Sequence, residues 1–191
     1  MNSPSPELGE TATRILTIAS DWLDQNPGQQ LTTRVVCALA GVTAPTLYHH
    51  FGDKDGLLQA VAERQLMSFF QRKRQQPETD DPQADLLRGW DQWLEFAQQH
   101  RALIEALQQS SVISGRLRAN AEAIAQARLV RLSKQKGLAI STELAASAMV
   151  AAANVIVQLM LQGYSDRQLR ALNKRLQIAL LASLTAEHTT P

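Results

Sequence analysis

Residues 31–58, LTTRVVCALAGVTAPTLYHHFGDKDGLL, constrain the chain more than any other stretch. Three residues, Gly41-Val42-Thr43, separate two short segments whose apolar groups fall at helical spacing. Thr32 can cap a short helix that runs through Ala40, and Gly41 then marks its C-terminal turn. Thr43 is a second N-cap, Pro45 is tolerated in a first turn where its missing amide costs little, and the helix continues to about His50. Two short helices joined by a tight glycine turn make a helix-turn-helix. Val36, Cys37, Ala40, Val42, Leu47 and Phe51 are spaced to bury one face of each, which leaves Ala44, Pro45, Thr46, Tyr48 and His49 facing away.

Helical period continues on both sides. Ile15, Ile18, Ala19, Trp22 and Leu23 mark one face of a helix over residues 9–25, ended by Asn26-Pro27-Gly28. Gly52 and Asp53 open a longer helix with Leu57, Leu58, Val61, Ala62, Leu66, Phe69 and Phe70 in period, fading in Arg72-Lys73-Arg74, which reads as a solvated helix end. Residues 75–82 carry two prolines, three acids and no large apolar group, the best domain boundary in the chain. Beyond it Leu86, Leu87, Trp90, Trp93, Leu94 and Ala97 mark one helix, and Leu103, Ile104 and Leu107 a short one. A long helix with Leu117, Ala121, Ile124 and Ala125 ends near Gly137, and Ser141 caps an alanine-rich one. Ser165 with Gln168 matches a capping box for a last helix with Leu169, Leu172, Leu176, Ala179 and Leu180 inward. Aromatics are 5% of the residues, and Ala, Leu, Gln and Arg abound where strands favour Val, Ile, Thr and Tyr. The expectation is an all-α chain of about nine helices, with a disordered tail at 1–8, a three-helix helix-turn-helix domain at 9–52, a connecting fourth helix at 53–75 and a helical C-terminal domain at 76–191.

Charge and composition exclude several roles. Nineteen Lys and Arg against 18 Asp and Glu leave a formal charge of +1, which suits neither an indiscriminate nucleic-acid coat nor a polybasic membrane anchor. Residues 1–75 are balanced as well: Arg14, Arg34, Lys54, Arg64, Arg72, Lys73 and Arg74 face Glu7, Glu10, Asp21, Asp24, Asp53, Asp55 and Glu63. Any DNA contact must therefore come from placed cations, with modest, salt-sensitive non-specific affinity. Cys37 is the single cysteine, cannot form an internal disulfide, and reads as a buried structural thiol in a reducing compartment. The N-terminus lacks the regions of a signal peptide. The most apolar stretch, 144–161, is interrupted by Ser147, Asn154 and Gln158 and falls short of the ~20 residues that span a bilayer, so it reads as a buried helix, with no membrane partner and a cytoplasmic address. Of the four histidines (His49, His50, His100 and His188), the adjacent pair cannot face one metal from one helix, and no phosphate-binding glycine loop is present. Neither enzyme chemistry, a cofactor nor a metal is expected.

Thr32-Thr33-Arg34, Ala40-Gly41-Val42, Thr46-Leu47-Tyr48-His49-His50-Phe51 and Lys54 followed by Leu57-Leu58 stand in register with one known pattern. The segment closely resembles the DNA-binding region of the TetR family of one-component transcriptional regulators. The resemblance runs from the first through the fourth helix, and beyond it the chain matches only in helix count and order. It implies a sequence-specific regulator, by family default a repressor, bound to a palindromic double-stranded operator and released by a small-molecule effector. The second short helix is then the recognition helix, whose N-terminal end faces base edges in the major groove. The implied contacts are Thr33, Arg34, Ala44, Pro45, Thr46, Tyr48, His49, His50 and Lys54. Arg34 can pair with a guanine O6/N7 edge or stay solvated. Tyr48, Lys54 and His50 correspond to phosphate-contacting positions, which orient without reading sequence. The first turn of the fourth helix offers free amides to an anion, with Asp53 as a local competitor. Three features depart from the family. Val35 and Leu39 replace commonly polar residues, Ala44 limits readout to a thymine methyl, and Gly56 weakens the fourth helix by about 1 kcal/mol relative to Ala.

By the same resemblance the C-terminal domain holds an effector pocket, and its last two helices form a homodimer interface. Trp90, Trp93, Phe96, His100, Leu107, Asn120, Met149, Asn154 and Gln158 combine apolar bulk with a few polar groups, the usual makeup of a ligand cavity. Each also has an ordinary structural use. The scarcity of charge in the alanine-rich helix leans toward a neutral or weakly polar effector. The competing reading is a helix-turn-helix scaffold that acts through protein contacts or through DNA contacts without an effector.

Overall fold

The computed structural model describes residues 9–26, 29–108 and 111–185. The tail at 1–8, His188 and the Pro27-Gly28 pair expected to end the first helix lie outside these residues. Among the described residues there are nine helices and no strand: α1 (Glu10–Gln25), α2 (Thr33–Ala40), α3 (Ala44–Phe51), α4 (Lys54–Gln75), α5 (Pro82–Gln99), α6 (Arg101–Gln108), α7 (Ser111–Lys136), α8 (Thr142–Leu161) and α9 (Asp166–Leu184). The chain divides into two compact units. One holds α1 to α3, α4 as far as Ser68, and α6; the other holds the rest of α4 with α5, α7, α8 and α9. The division thus passes through α4 rather than along residues 75–82, and α6 joins the N-terminal unit through an amphipathic face of buried Leu103, Ile104 and Leu107.

The first unit is built by local capping and one small core. Asn26 closes α1, its amide on the Leu23 carbonyl at 3.3 Å and its side-chain Nδ2 on that of Trp22 at 2.8 Å. Ile15, Leu16, Ala19 and Leu23 of α1 are buried, as are Leu31, Val36, Ala40 and Leu47 around the two short helices and Leu57 and Val61 of α4. Each such aliphatic group contributes about 1.5–3 kcal/mol by leaving water. Cys37, Val42 and Phe51 are only half-buried, a correction to the expected core. In a two-turn helix the inward stripe is narrow, and Val36 with Ala40, at i and i+4, fills it. Buried Gln65 ties α4 to α1, donating to the Ser20 carbonyl at 3.0 Å and to Asp24 Oδ1 at 3.2 Å.

The second unit packs α5, α7, α8 and α9 around Leu86 and Trp90, Leu129 and Leu132, Ala145, Ala146, Met149 and Ala153, and Leu181 and Leu184. Alanines on α8 allow the close approach to α7 that a bulkier stripe would prevent. At 20 residues α8 is, by length and composition, apolar enough to cross a bilayer, contrary to the expectation above; here its inward residues are packed on α5, α7 and α9. On α9, Leu172 and Ala179 are exposed instead of inward. The inward face of α9 includes two amides: Asn173 accepts from Trp90 Nε1 at 2.7 Å, and Gln177 donates to Asp91 at 2.7 Å. Apolar spacing alone therefore misplaced the phase of this helix.

Asp85 is the polar centre of this unit. It is 1% exposed, and it accepts from the Thr79 amide and hydroxyl, each at 2.9 Å, from Arg131 at 3.0 Å and from Arg88 at 2.5 Å. Burial alone would raise its carboxyl, but the two Thr79 donors, Arg131 and Arg88 hold it down at about 2. The proline- and acid-rich stretch after α4 is in this way fastened to α5 and α7, with Arg131 also reaching Glu78 at 3.3 Å. Lys73 is not a solvated helix end. Its ammonium donates to the Gly89 carbonyl at 2.6 Å and lies 5.0 Å from the Phe69 ring centre.

Candidate nucleic-acid interface

Both short helices begin with the threonine caps that the sequence predicts. Thr32 Oγ1 accepts from the Val35 amide at 3.3 Å and Thr43 Oγ1 from the Thr46 amide at 3.4 Å. Between them Gly41 takes a left-handed turn with φ of 63°. Pro45 stands in the first turn of α3, where no amide hydrogen is missed.

This frame puts the expected contacts on the surface. Arg34, Ala44, Pro45, Tyr48, His49, His50 and Lys54 are exposed, and Thr33 and Thr46 are half-exposed. Among the described residues, Arg34 and Lys54 form no ion pair, and the Tyr48 hydroxyl, on a side chain 40% exposed, has no protein partner. Two cations and a phenol held open to water next to one short helix are free to meet phosphates or base edges. Thr46 is less free than expected, since its hydroxyl is shared with that of Thr43 at 2.9 Å. The His49 and His50 rings meet edge to face at 5.4 Å. Leu39 is 55% exposed on α2, as its departure from the family pattern suggested.

The start of α4 agrees with one expectation, the competition from Asp53, and departs from another at Gly56. Asp53 Oδ1 accepts from the Gly56 amide at 2.7 Å, so a carboxylate already occupies one of the amides offered to an anion. Gly56, read as a weak point, is required: a Cβ there would lie 2.0 Å from the Phe51 carbonyl oxygen. Its missing side chain lets the chain turn tightly from α3 into α4, beside Tyr48 and Lys54. A glycine in a first helical turn gives no hint of such an approach in the sequence.

The comparisons follow this geometry. Residues 15–61 match the model of the bacterial regulatory proteins of the tetR family. This N-terminal region is similar to the DNA-binding region of tetR-family regulators. It is 33% identical over 61 residues to the HTH-type transcriptional regulator UidR of Escherichia coli K12, which covers 32% of this chain and 31% of UidR, so the chain spans about a third of the length of the curated relatives it matches. The whole fold is similar to a TetR-family transcriptional regulator from Pectobacterium atrosepticum, with a TM-score of 0.66 at 21% identity over 97% of this chain and 99% of that one. It is also similar to RolR in complex with resorcinol, with a TM-score of 0.66 at 19% identity over 91% and 87% of the two chains. At these identities the likeness is one of fold.

The nine residues expected around a ligand fall in both units. Trp93, Phe96 and Asn154 do come together, with Trp93 Nε1 donating to Asn154 at 3.1 Å and the Trp93 and Phe96 rings stacked at 6.0 Å. Trp90 and Met149 belong to the core of the second unit, Asn120 is taken up by Arg74 and the Arg116 carbonyl, and Gln158 is exposed. His100 and Leu107 are buried in the first unit. Cavities of the second unit include two that are lined by none of the nine. A groove of about 680 Å3 runs along α5 and α9 between Leu87, Asp91, Asn173 and Ile178. A smaller cavity of about 230 Å3 lies among α4, α5, α7 and the stretch after α4, with Lys73, Arg74, Arg88 and Arg128 on its walls. Sequence reasoning read Lys73 and Arg74 as a solvated helix end and did not single out Arg88 or Arg128.

Proposed function

We propose that the protein is a sequence-specific DNA-binding transcriptional regulator that represses from a palindromic operator and is released by a small molecule bound in its C-terminal unit. The observation that carries the reading is the exposed α3 surface of Ala44, Pro45, Tyr48 and His49, flanked by the unpaired Arg34 and Lys54. The protein acts by binding rather than by catalysis, in the cytoplasm. Homodimerisation through α8 and α9 is supported by an outward apolar stripe of Leu144, Ala151 and Val155 on α8, with Leu172 and Ala179 on α9. A two-fold pair would set recognition helices about 34–36 Å apart, one turn of DNA. RolR, whose crystal contains resorcinol, supports an effector role for the C-terminal unit.

The test is selection of bound fragments from genomic DNA by the purified protein, followed by light scattering of the complex. Enrichment of an inverted repeat with half-sites one helical turn apart, bound by a dimer, is expected. Enrichment without common sequence would instead favour the scaffold reading, for which exposed Leu39 offers a protein-facing contact.

A further inference from the structure

Buried cations normally come with acids. Arg128 is 8% exposed, yet among the described residues no carboxylate is within ion-pair distance of it, and its one hydrogen bond is a long one, 3.4 Å to the Lys73 carbonyl. Lys73 lies beside it with only the Gly89 carbonyl and the Phe69 face as partners. Both line the 230 Å3 cavity. The acids on the same walls are already committed, since Asp85 is saturated by four donors and Glu78 pairs with Arg131.

The helix opposite is shaped around this arrangement. Gly89 sits in the interior of α5, where it costs about 1 kcal/mol relative to Ala. A Cβ at that position would lie 2.1 Å from Arg128 Nη1 and 3.4 Å from Lys73 Nζ. A glycine kept inside a helix, a guanidinium seated against it and a lysine alongside form a costly assembly whose nearby acids, Asp85 and Glu78, are shared with Arg88 and Arg131. Such a group is strongly destabilising unless an anion completes it. The Gln76 Oε1 on the cavity wall is also buried and without a partner.

We infer that this cavity binds a small carboxylate, gripped by the planar fork of Arg128 with Lys73 beside it and the Gln76 amide meeting a polar group of the ligand. The inference rests on the reading of the C-terminal unit as the effector-binding one, and it replaces the neutral effector expected from the composition of α8. Size and charge set the class. At the ~30 Å3 that a water molecule occupies in liquid, the volume suits roughly seven or eight non-hydrogen atoms. A carboxylate matches a guanidinium two bonds to two. Burial first, and the charge of Arg128 second, bring the Lys73 ammonium down to about 7. Glu78 and Asp85 are taken up by Arg131 and Arg88, so Arg128, Arg74 and the partly protonated Lys73 leave a surplus of positive charge around the cavity near neutral pH. A bound carboxylate would raise Lys73 again, so binding at pH 8 takes up a proton.

The experiment is calorimetry and thermal shift on the full-length protein with propionate and benzoate, their neutral amides, and inorganic phosphate. Either carboxylate is expected to bind and raise Tm, with a heat at pH 8 that changes with the ionisation enthalpy of the buffer, while propionamide and benzamide do neither. Arg128→Gln is expected to fold, having lost an unpaired buried charge, and to bind at least tenfold more weakly. Gly89→Ala, which pushes the guanidinium aside, should weaken binding without removing any charge. Equal response to acid and amide, undiminished binding by Arg128→Gln, a response to phosphate alone, or no response to any probe would overturn the inference. Operator binding measured on the same preparation separates the two readings: intact DNA binding with no carboxylate response defeats only the ligand class.

Discussion

The two units treat positive charge in opposite ways. Around α3, Arg34 and Lys54 are left in water and, among the described residues, form no ion pair, so both are open to a counter-charge from outside the protein. In the second unit Arg131 and Arg88 converge on one buried carboxylate, and Arg128 with Lys73 is enclosed beside them. An exposed cation contributes little to stability and is available for long-range attraction to phosphate. An enclosed one carries a desolvation cost that only a close partner offsets. The same residue types are therefore available for recognition in one place, and in the other they hold elements together or line a cavity.

Substitutions at the two places should differ in size accordingly. Asp85→Ala leaves Arg131, Arg88 and the Thr79 amide without their acceptor, and a loss of about 3–5 kcal/mol in urea unfolding is expected, as for a broken buried pair. An effect within 1 kcal/mol would show that the network is not structural. The folded carboxyl of Asp85 lies at about 2, below its ordinary 3.8, so its contribution is present above pH 4 and is lost as pH falls toward 2. Gly56→Ala comes next. A Cβ 2.0 Å from a backbone oxygen forces the α3–α4 turn to shift, with a cost of about 1–3 kcal/mol and weaker DNA binding, readable by melting and gel shift together.

Lys73→Met should change how stability depends on pH more than its value at any one pH. The folded pKa of Lys73, about 7, is below the ordinary 10.5, so across that window the unfolded chain holds the extra proton and stability rises with pH. The variant is expected to lose this rise; parallel pH profiles for the two proteins would contradict it. The smallest change, about 1 kcal/mol, is expected for Thr43→Ala, which removes the α3 cap.

How far each region could be read from sequence follows from the range of its interactions. The caps at Thr32, Thr43 and Ser141 and the turn at Gly41 are formed by residues within a few positions of one another, and each was legible. So was the surface of α3, because the buried positions of a short helix define the outward ones. The Asp85 network and the Lys73–Arg128 contact join residues 46 and 55 positions apart, on elements whose packing no local pattern specifies. For the same reason Lys73 passed for a solvated end, and the phase of α9 was misread across Asn173 and Gln177.

In the proposed function Arg34 and the exposed face of α3 read a sequence, while Lys54 and Tyr48 hold phosphates. The direct measurement is the affinity of the protein for its selected operator and for random DNA across a salt series, for wild type, Arg34→Ala and Tyr48→Phe. The account predicts at least a ~1,000-fold preference for the operator at physiological salt. It also predicts a loss of about 1–3 kcal/mol of that preference in Arg34→Ala, and weaker binding to both DNAs in Tyr48→Phe. Equal affinity for operator and random DNA, or variants that bind like wild type, would contradict it.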